Sequence, residues 1–177
     1  IVGSMYSTYC IAAMPSVKAA GMPYISLGSS SGVAKEKNSY TWQDRPLDTA
    51  QGLVLADFVV NTLKCKNPAI LYSTQSTFTS LEEQVVKNLK DKGVTISDSN
   101  LFAHSEDESN LASYLAQVKN GKFDCLISLE NQAPSALVCQ QAEAAGIDPS
   151  KFPCVGSTSF CSSVCIKNAG SSADGWY

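Results

Sequence analysis

Arginine occurs once in this chain of 177 residues, at Arg45, and histidine once, at His104. With 13 basic against 16 acidic side chains and a net charge of −3, the chain has no basic face for a phosphate backbone, so no nucleic-acid partner is expected. No apolar run approaches the roughly 18 residues that span a bilayer. The start Ile1-Val2-Gly3-Ser4-Met5 has no charged leader before an apolar stretch, so any signal peptide lies upstream of it. The first residue is not methionine and already reads as strand, which predicts that these residues belong to a longer polypeptide. Neither Gly-x-x-x-x-Gly-Lys nor Gly-x-Gly-x-x-Gly occurs, so nucleotide binding has no support and no cofactor is expected. There is no Cys-x-x-Cys pair; Cys161-x-x-x-Cys165 places at most two thiols on one helical face, and with a single histidine no metal is expected.

What is present is a soluble globular composition, 44% hydrophobic and 16% charged, enough to bury a core in one domain or two small lobes. Seven cysteines leave at least one unpaired in a monomer. Cys125, Cys139 and Cys154 fall in apolar contexts, where a free thiol acts as a small hydrophobe.

Four helix stops end in glycine, at Gly21, Gly93, Gly121 and Gly146, where the left-handed C-cap is cheap. Between them run short β-rich stretches, 24–26, 69–72, 94–96, 125–129 and 154–156, each too short for a buried helix. Strands alternating with helices at this spacing predict βαβ units: an α/β fold of parallel sheets in doubly wound lobes. The helix over 49–63 is the best marked, with Asp48 as its cap, Gln51 reaching back, and an apolar face wide enough to make it among the most buried. Further amphipathic helices are predicted near 80–90, 110–118 and 135–145. In the stretch 7–20, Pro15 is expected to kink or split a helix, at a cost of about 3 kcal/mol.

Two serine-rich turns follow predicted strands, Gly3-Ser4-Met5-Tyr6-Ser7 after Ile1-Val2 and Gly28-Ser29-Ser30-Ser31 after Tyr24-Ile25-Ser26. Loops leaving the carboxyl ends of parallel strands line a shared crevice, and amides at helix N-termini favour an anion, so the turns predict a pocket for a small polar ligand.

The ordered set of motifs resembles the branched-chain amino-acid-binding branch of type I solute-binding proteins, the extracytoplasmic receptors of ABC importers. The residues that carry the resemblance are Ile1-Val2-Gly3 with Ser7, Gly21 to Ser26 with Gly28-Ser29-Ser30, Tyr40-Thr41-Trp42 leading to Asp48 to Gly52, Ala69 to Tyr72, Phe123 to Ser128, and Gln141 to Ile147. The resemblance implies that residues 1–44 form part of one lobe, that 45–48 cross between lobes with Asp44, Arg45 and Pro46 as the hinge, and that 49–177 form most of a second lobe. It implies ligand contacts from Ser7, Ser29 and Ser30, where Ser7 and Ser30 hold a carboxylate, and from Thr77, Phe78, Asn131 and Thr158. It also implies a small-molecule solute, amino-acid-like or related, a membrane permease as partner, an extracytoplasmic location, periplasmic or as a cell-surface lipoprotein, and no enzymatic reaction. Amino-acid-binding members tend to carry an aromatic where Thr77 stands, another near Asn131 and an acid near Thr158; here Phe78 and Glu130 are the nearest substitutes.

Other readings stand beside these. Ser7 alone is an adequate helix cap. His104, in an acidic polar stretch, reads as a solvated imidazole, and Glu82-Glu83 and Glu106-Asp107-Glu108 read as solvated faces. A ligand-sensing input domain of a receptor or regulator and a small flavodoxin-like enzyme are the alternative functions.

Overall fold

The computed structural model describes residues 1–177. They form α1 (Ser7–Ala20), β1 (Tyr24–Ser26), α2 (Ser31–Lys35), β2 (Thr41–Gln43), α3 (Asp48–Asp57), β3 (Pro68–Ser73), α4 (Ser76–Asp91), β4 (Leu101–His104), α5 (Ala112–Asn120), β5 (Cys125–Leu129), α6 (Gln132–Ala144), β6 (Cys154–Gly156) and α7 (Ser163–Ala169). All strand pairs are parallel, in a two-stranded sheet β1-β2 and a four-stranded sheet ordered β4-β3-β5-β6. The alternation of strand and helix therefore gives the expected α/β fold.

The chain divides into two compact units, residues 1–56 with 75–88, and 57–74 with 89–177. In the first, Ser7, Cys10, Met14 and Val17 recur at helical spacing and form the buried stripe of α1, packed with Tyr24 and Val33. The helix continues across Pro15 rather than splitting, because the proline stands on the exposed side while the stripe on either side of it is anchored. Gly21 ends α1 in the left-handed region at φ 60°, as the sequence predicts, whereas Gly121 caps α5 with extended backbone.

α3 departs from expectation. It passes at Phe58–Thr62 into a turn of π-helix, and Leu53 and Val54 are 50% and 67% exposed. Its buried side is instead Gly52, Leu55 and Ala56. Asp48 is the first helical residue and caps nothing with its side chain, since the Leu47 carbonyl accepts from Ala50 and Gln51.

In the second unit β3 and β5 are almost wholly buried, as central parallel strands covered on both faces must be. Leu71, Leu126, Leu111, Leu115, Val138 and Phe160 belong to its main core cluster. Cys125, Cys139 and Cys154 are buried, as expected of small hydrophobes. No strand forms over 94–96. Val94 and Ile96 are buried, but Ser97 and Asn100 cap each other around a short 3-10 turn, which delays the strand to Leu101–His104. β2, which sequence periodicity does not reveal, pairs Thr41, Trp42 and Gln43 with Tyr24, Ile25 and Ser26. Cys161 is exposed while Cys165 is buried in α7, so the two thiols share no helical face.

Candidate functional site

In the first unit the polar residues gather just past the C-terminal end of β1. Ser7, Ser26, Ser29 and Ser30 are all buried. The Ser30 amide donates to Ser7 Oγ at 3.1 Å, across 23 positions of sequence. Ser7 Oγ accepts that bond, so its own proton remains to donate elsewhere. The N-cap of α1 is Tyr6, and it is Ser30 that caps a helix, accepting from the Gly32 amide at 3.1 Å.

The carbonyls of this turn are tied to the segment that follows β2. Ser26 accepts from the Asp44 amide at 3.0 Å, Gly28 from Gln43 Nε2 at 2.6 Å and Ser29 from the Asp48 amide at 3.0 Å. Asp44, Arg45 and Pro46 are exposed beside it. The Asp48 carboxylate is buried, with the Ser29 and Ser80 hydroxyls beside it. Burial pushes its pKa up, against the smaller opposing pull of the Ser29 and Ser80 hydroxyls and of Arg45.

Gly28 makes this arrangement sterically possible. A Cβ there would lie 2.8 Å from Ser7 Oγ and 2.9 Å from Ser7 Cα. Gly28→Ala is therefore expected to push α1 from the serine turn and to destabilise the unit by about 1–3 kcal/mol, as overpacking does. A urea midpoint equal to that of the parent protein would show that the close approach is not required.

Of the other sequence-predicted contacts, Thr77 is half-buried on α4 and Phe78 is buried beside it. Asn131 precedes α6 and donates from Nδ2 to Glu106 Oε1 at 2.6 Å. Thr158 is exposed in a short 3-10 turn after β6. Ser7, Ser29 and Ser30 thus share one turn region, while Asn131 belongs to a second polar cluster, in the other unit.

That cluster lies past the C-terminal ends of β3, β4 and β5. His104 and Glu130 have fully buried side chains, and His104 Nε2 meets Glu130 Oε1 at 2.8 Å. His104 is therefore not the solvated imidazole its sequence neighbours suggest, because it ends β4 inside the sheet edge rather than standing in the acidic loop. Its Nδ1 lies 2.8 Å from the Ser105 carbonyl, which can only accept, so Nδ1 carries a proton. One further proton is then shared with Glu130, as an imidazolium-carboxylate or a neutral pair.

Burial pushes Glu130 up to about 7, and His104 acts against that rise. For His104, burial alone would lower the pKa, but the hydrogen bond and charge of Glu130 outweigh it, so the imidazole holds its proton more tightly than usual. Glu130 Oε2 and Ser128 Oγ are buried without a partner. Glu106 also differs from a solvated acid, accepting from Ser73 Oγ at 2.8 Å as well as from Asn131. Glu82 is buried although Glu83 is exposed. The sequence signal that could have found His104 was its position at the end of an apolar run, Leu101-Phe102-Ala103.

Parallel strands with buried polar groups collected just beyond their C-terminal ends define a ligand-binding α/β architecture. The chain matches the periplasmic binding protein family over residues 1–177 and belongs to it. Members of that family bind small solutes for ABC transporters.

No curated protein matches the sequence. Among solved structures, it is similar to LivJ, the branched-chain amino acid transporter substrate binding protein of Streptococcus pneumoniae in complex with isoleucine, with 21% identity and a TM-score of 0.83, covering 99% of this chain and 49% of that one. It is similar to the leucine binding protein LivK of Thermotoga maritima at 15% identity and TM-score 0.84, covering 97% and 48%. It is also similar to a solute binding protein of an ABC transporter from Rhodopseudomonas palustris in complex with p-hydroxybenzoic acid, at 14% identity and TM-score 0.84, covering 97% and 46%. At these identities the likeness shows the fold, and this chain spans about half the length of each of these proteins. No helix of the chain is long and apolar enough to cross a membrane.

Proposed function

We propose that this chain is the solute-capturing part of an extracytoplasmic receptor that delivers a small polar solute to the permease of an ABC importer, without covalent chemistry. The observation that carries the reading is the hydrogen-bonded contact between Ser7 and Ser30, among buried serines past a parallel strand, in a chain of a solute-binding family. Ser7, Ser29 and Ser30 offer hydroxyl donors to a carboxylate or similar group. Thr77, Phe78, Asn131 and Thr158 are proposed as further contacts, and Asp44, Arg45 and Pro46 as a hinge between residues 1–44 and 49–177. The relatives in complex with isoleucine and with p-hydroxybenzoic acid both hold carboxylates, which supports an anionic group on the solute.

A micromolar solute requires about −8 kcal/mol, while neutral hydrogen bonds contribute about 0.5–1.5 kcal/mol each and charge-assisted ones about 1.5–3 kcal/mol, so several donors must converge. Native mass spectrometry of the full-length protein as purified, followed by calorimetry with isoleucine and 4-hydroxybenzoate as probes, tests the reading. Ser7→Ala with Ser30→Ala is expected to abolish binding of whichever solute is found. The same change costs about 1 kcal/mol of stability through the lost cap of α2 and about 1–3 kcal/mol more through the buried Ser30 amide that loses its acceptor, so circular dichroism of the variant is read alongside to show that it is folded. Unaltered affinity in the double variant sinks the site assignment.

A further inference from the structure

We propose that Cys65 and Cys125 form a disulfide in the mature protein, closing the β3-α4-β4-α5 stretch into a covalent loop. Their Sγ atoms and a carboxylate oxygen of Asp124 lie within 4.8 Å of one another, and both thiols are buried. Rotation of the side chains is what brings such a pair to the roughly 2.05 Å of an S–S bond.

The backbone on both sides is already fixed. The Asp124 carboxylate accepts from the Lys66 amide at 2.6 Å and from the Asn67 amide at 3.0 Å, and the Asp124 amide donates to the Asn67 carbonyl at 3.1 Å. Pro68 stands opposite Cys125 in the β3-β5 register, and the Cys65 amide is held by the Val59 carbonyl at 3.1 Å. These bonds hold the loop before β3 against the start of β5, so little chain freedom is left to lose on bonding. Cys65, Asp124 and Cys125 offer three ligand atoms, one short of the four that structural zinc takes, which argues against a metal site there.

The hydrogen bond from Cys125 lowers the pKa of the Cys65 thiol, while that of Cys125 is raised. That ordering belongs to the folded pair; while the chain folds either cysteine reacts first, and the steps are equivalent with Cys65 as the attacking thiolate. It attacks one sulfur of an external disulfide such as oxidised glutathione, and the displaced thiolate takes up a proton. Cys125 then gives up its proton and attacks Cys65 Sγ in the mixed disulfide, releasing the second thiol. The chain loses two protons and two electrons, and the external disulfide takes them up to become two thiols. Because both sulfurs are buried once folded, the exchange takes place as the chain folds.

The proposal rests on the extracytoplasmic reading for its oxidising compartment. The test is peptide mapping of the full-length protein, purified without reductant and alkylated under denaturing conditions. A cross-linked peptide pair containing Cys65 and Cys125 is expected, together with a melting temperature that falls by roughly 5–10 °C on reduction. Cys65→Ser is expected to free Cys125 for alkylation and to remove that sensitivity to reductant. Recovery of both residues alkylated after refolding in oxidised glutathione, a cross-link to any other cysteine, or a metal retained by the pair overturns the proposal. Calorimetry on the same sample separates the two readings: solute binding with both thiols free overturns only the disulfide, and the disulfide without any solute binding overturns only the transport role.

Discussion

His104→Ala is expected to lower the stability of the protein by about 3–5 kcal/mol at neutral pH, the usual cost of removing one partner from a buried ion pair. The substitution strips Glu130 Oε1 of its hydrogen bond, and Oε2 already has none, so the whole carboxyl group is left buried and unpaired. Glu130→Gln is expected to cost much less. An amide N–H can donate to the neutral imidazole Nε2 while Nδ1–H keeps its bond to the Ser105 carbonyl.

The pair also sets a sign for pH dependence. Glu130 is raised from 4.5 to about 7 in the folded state, and His104 is raised above its ordinary 6.5. A group whose folded pKa lies above its unfolded value contributes stability at low pH that is lost as pH rises through the folded pKa. The contribution of the pair is therefore full below about pH 4.5 and declines through 7 and above, by at most about 1.4 kcal/mol per pH unit for the one shared proton. The charged and titratable neighbours are Glu106, which raises Glu130 further, Glu108, which raises His104, and Tyr114, whose ring lies 6.2 Å from the imidazole. Urea titrations of the parent and Glu130→Gln proteins between pH 4.5 and 8 give the difference directly. Parallel curves for the two proteins would show that the pair holds no extra proton.

Leu126→Ala is expected to cost about 2–5 kcal/mol through a cavity in the main core of the second unit. Leu126 is completely buried in β5, opposite Ala69 on β3 and Cys154 on β6, so strands on both sides hamper collapse around the missing atoms. Leu101→Ala on the edge strand β4, at a half-buried position, serves as the comparison and is expected to cost less. Equal urea midpoints for the two variants would contradict the deeper burial of β5 than of the edge strand β4.

Much of the fold was legible beforehand because apolar periodicity reports local backbone geometry. The runs at 69–72, 125–129 and 154–156 are strands within a residue or two of expectation, and α6 and α5 lie where their stripes predict. α4 begins four residues before its predicted start, at Ser76. The misses share a cause. Val94 and Ile96 are apolar enough for a strand, yet the reciprocal Ser97-Asn100 cap gives their neighbours another set of backbone partners. Leu53 and Val54 belong to an apolar face that runs almost all round α3, and so wide a face does not say which side meets the core of its unit.

The sequence by itself determined the parallel α/β class, the buried central strands and the placing of serine-rich turns after strands, since each follows from residue types at short spacing. Tertiary structure decided which polar groups meet: Ser7 with Ser30, His104 with Glu130, and Cys65 with Cys125. Those pairings depend on strand order. β3 lies between β4 and β5, so the end of β4 carrying His104 reaches Glu130 only once the sheet has assembled as β4-β3-β5-β6. Hydrophobic pattern reports whether a segment is covered, and it is the same for every order in which covered strands could be laid side by side.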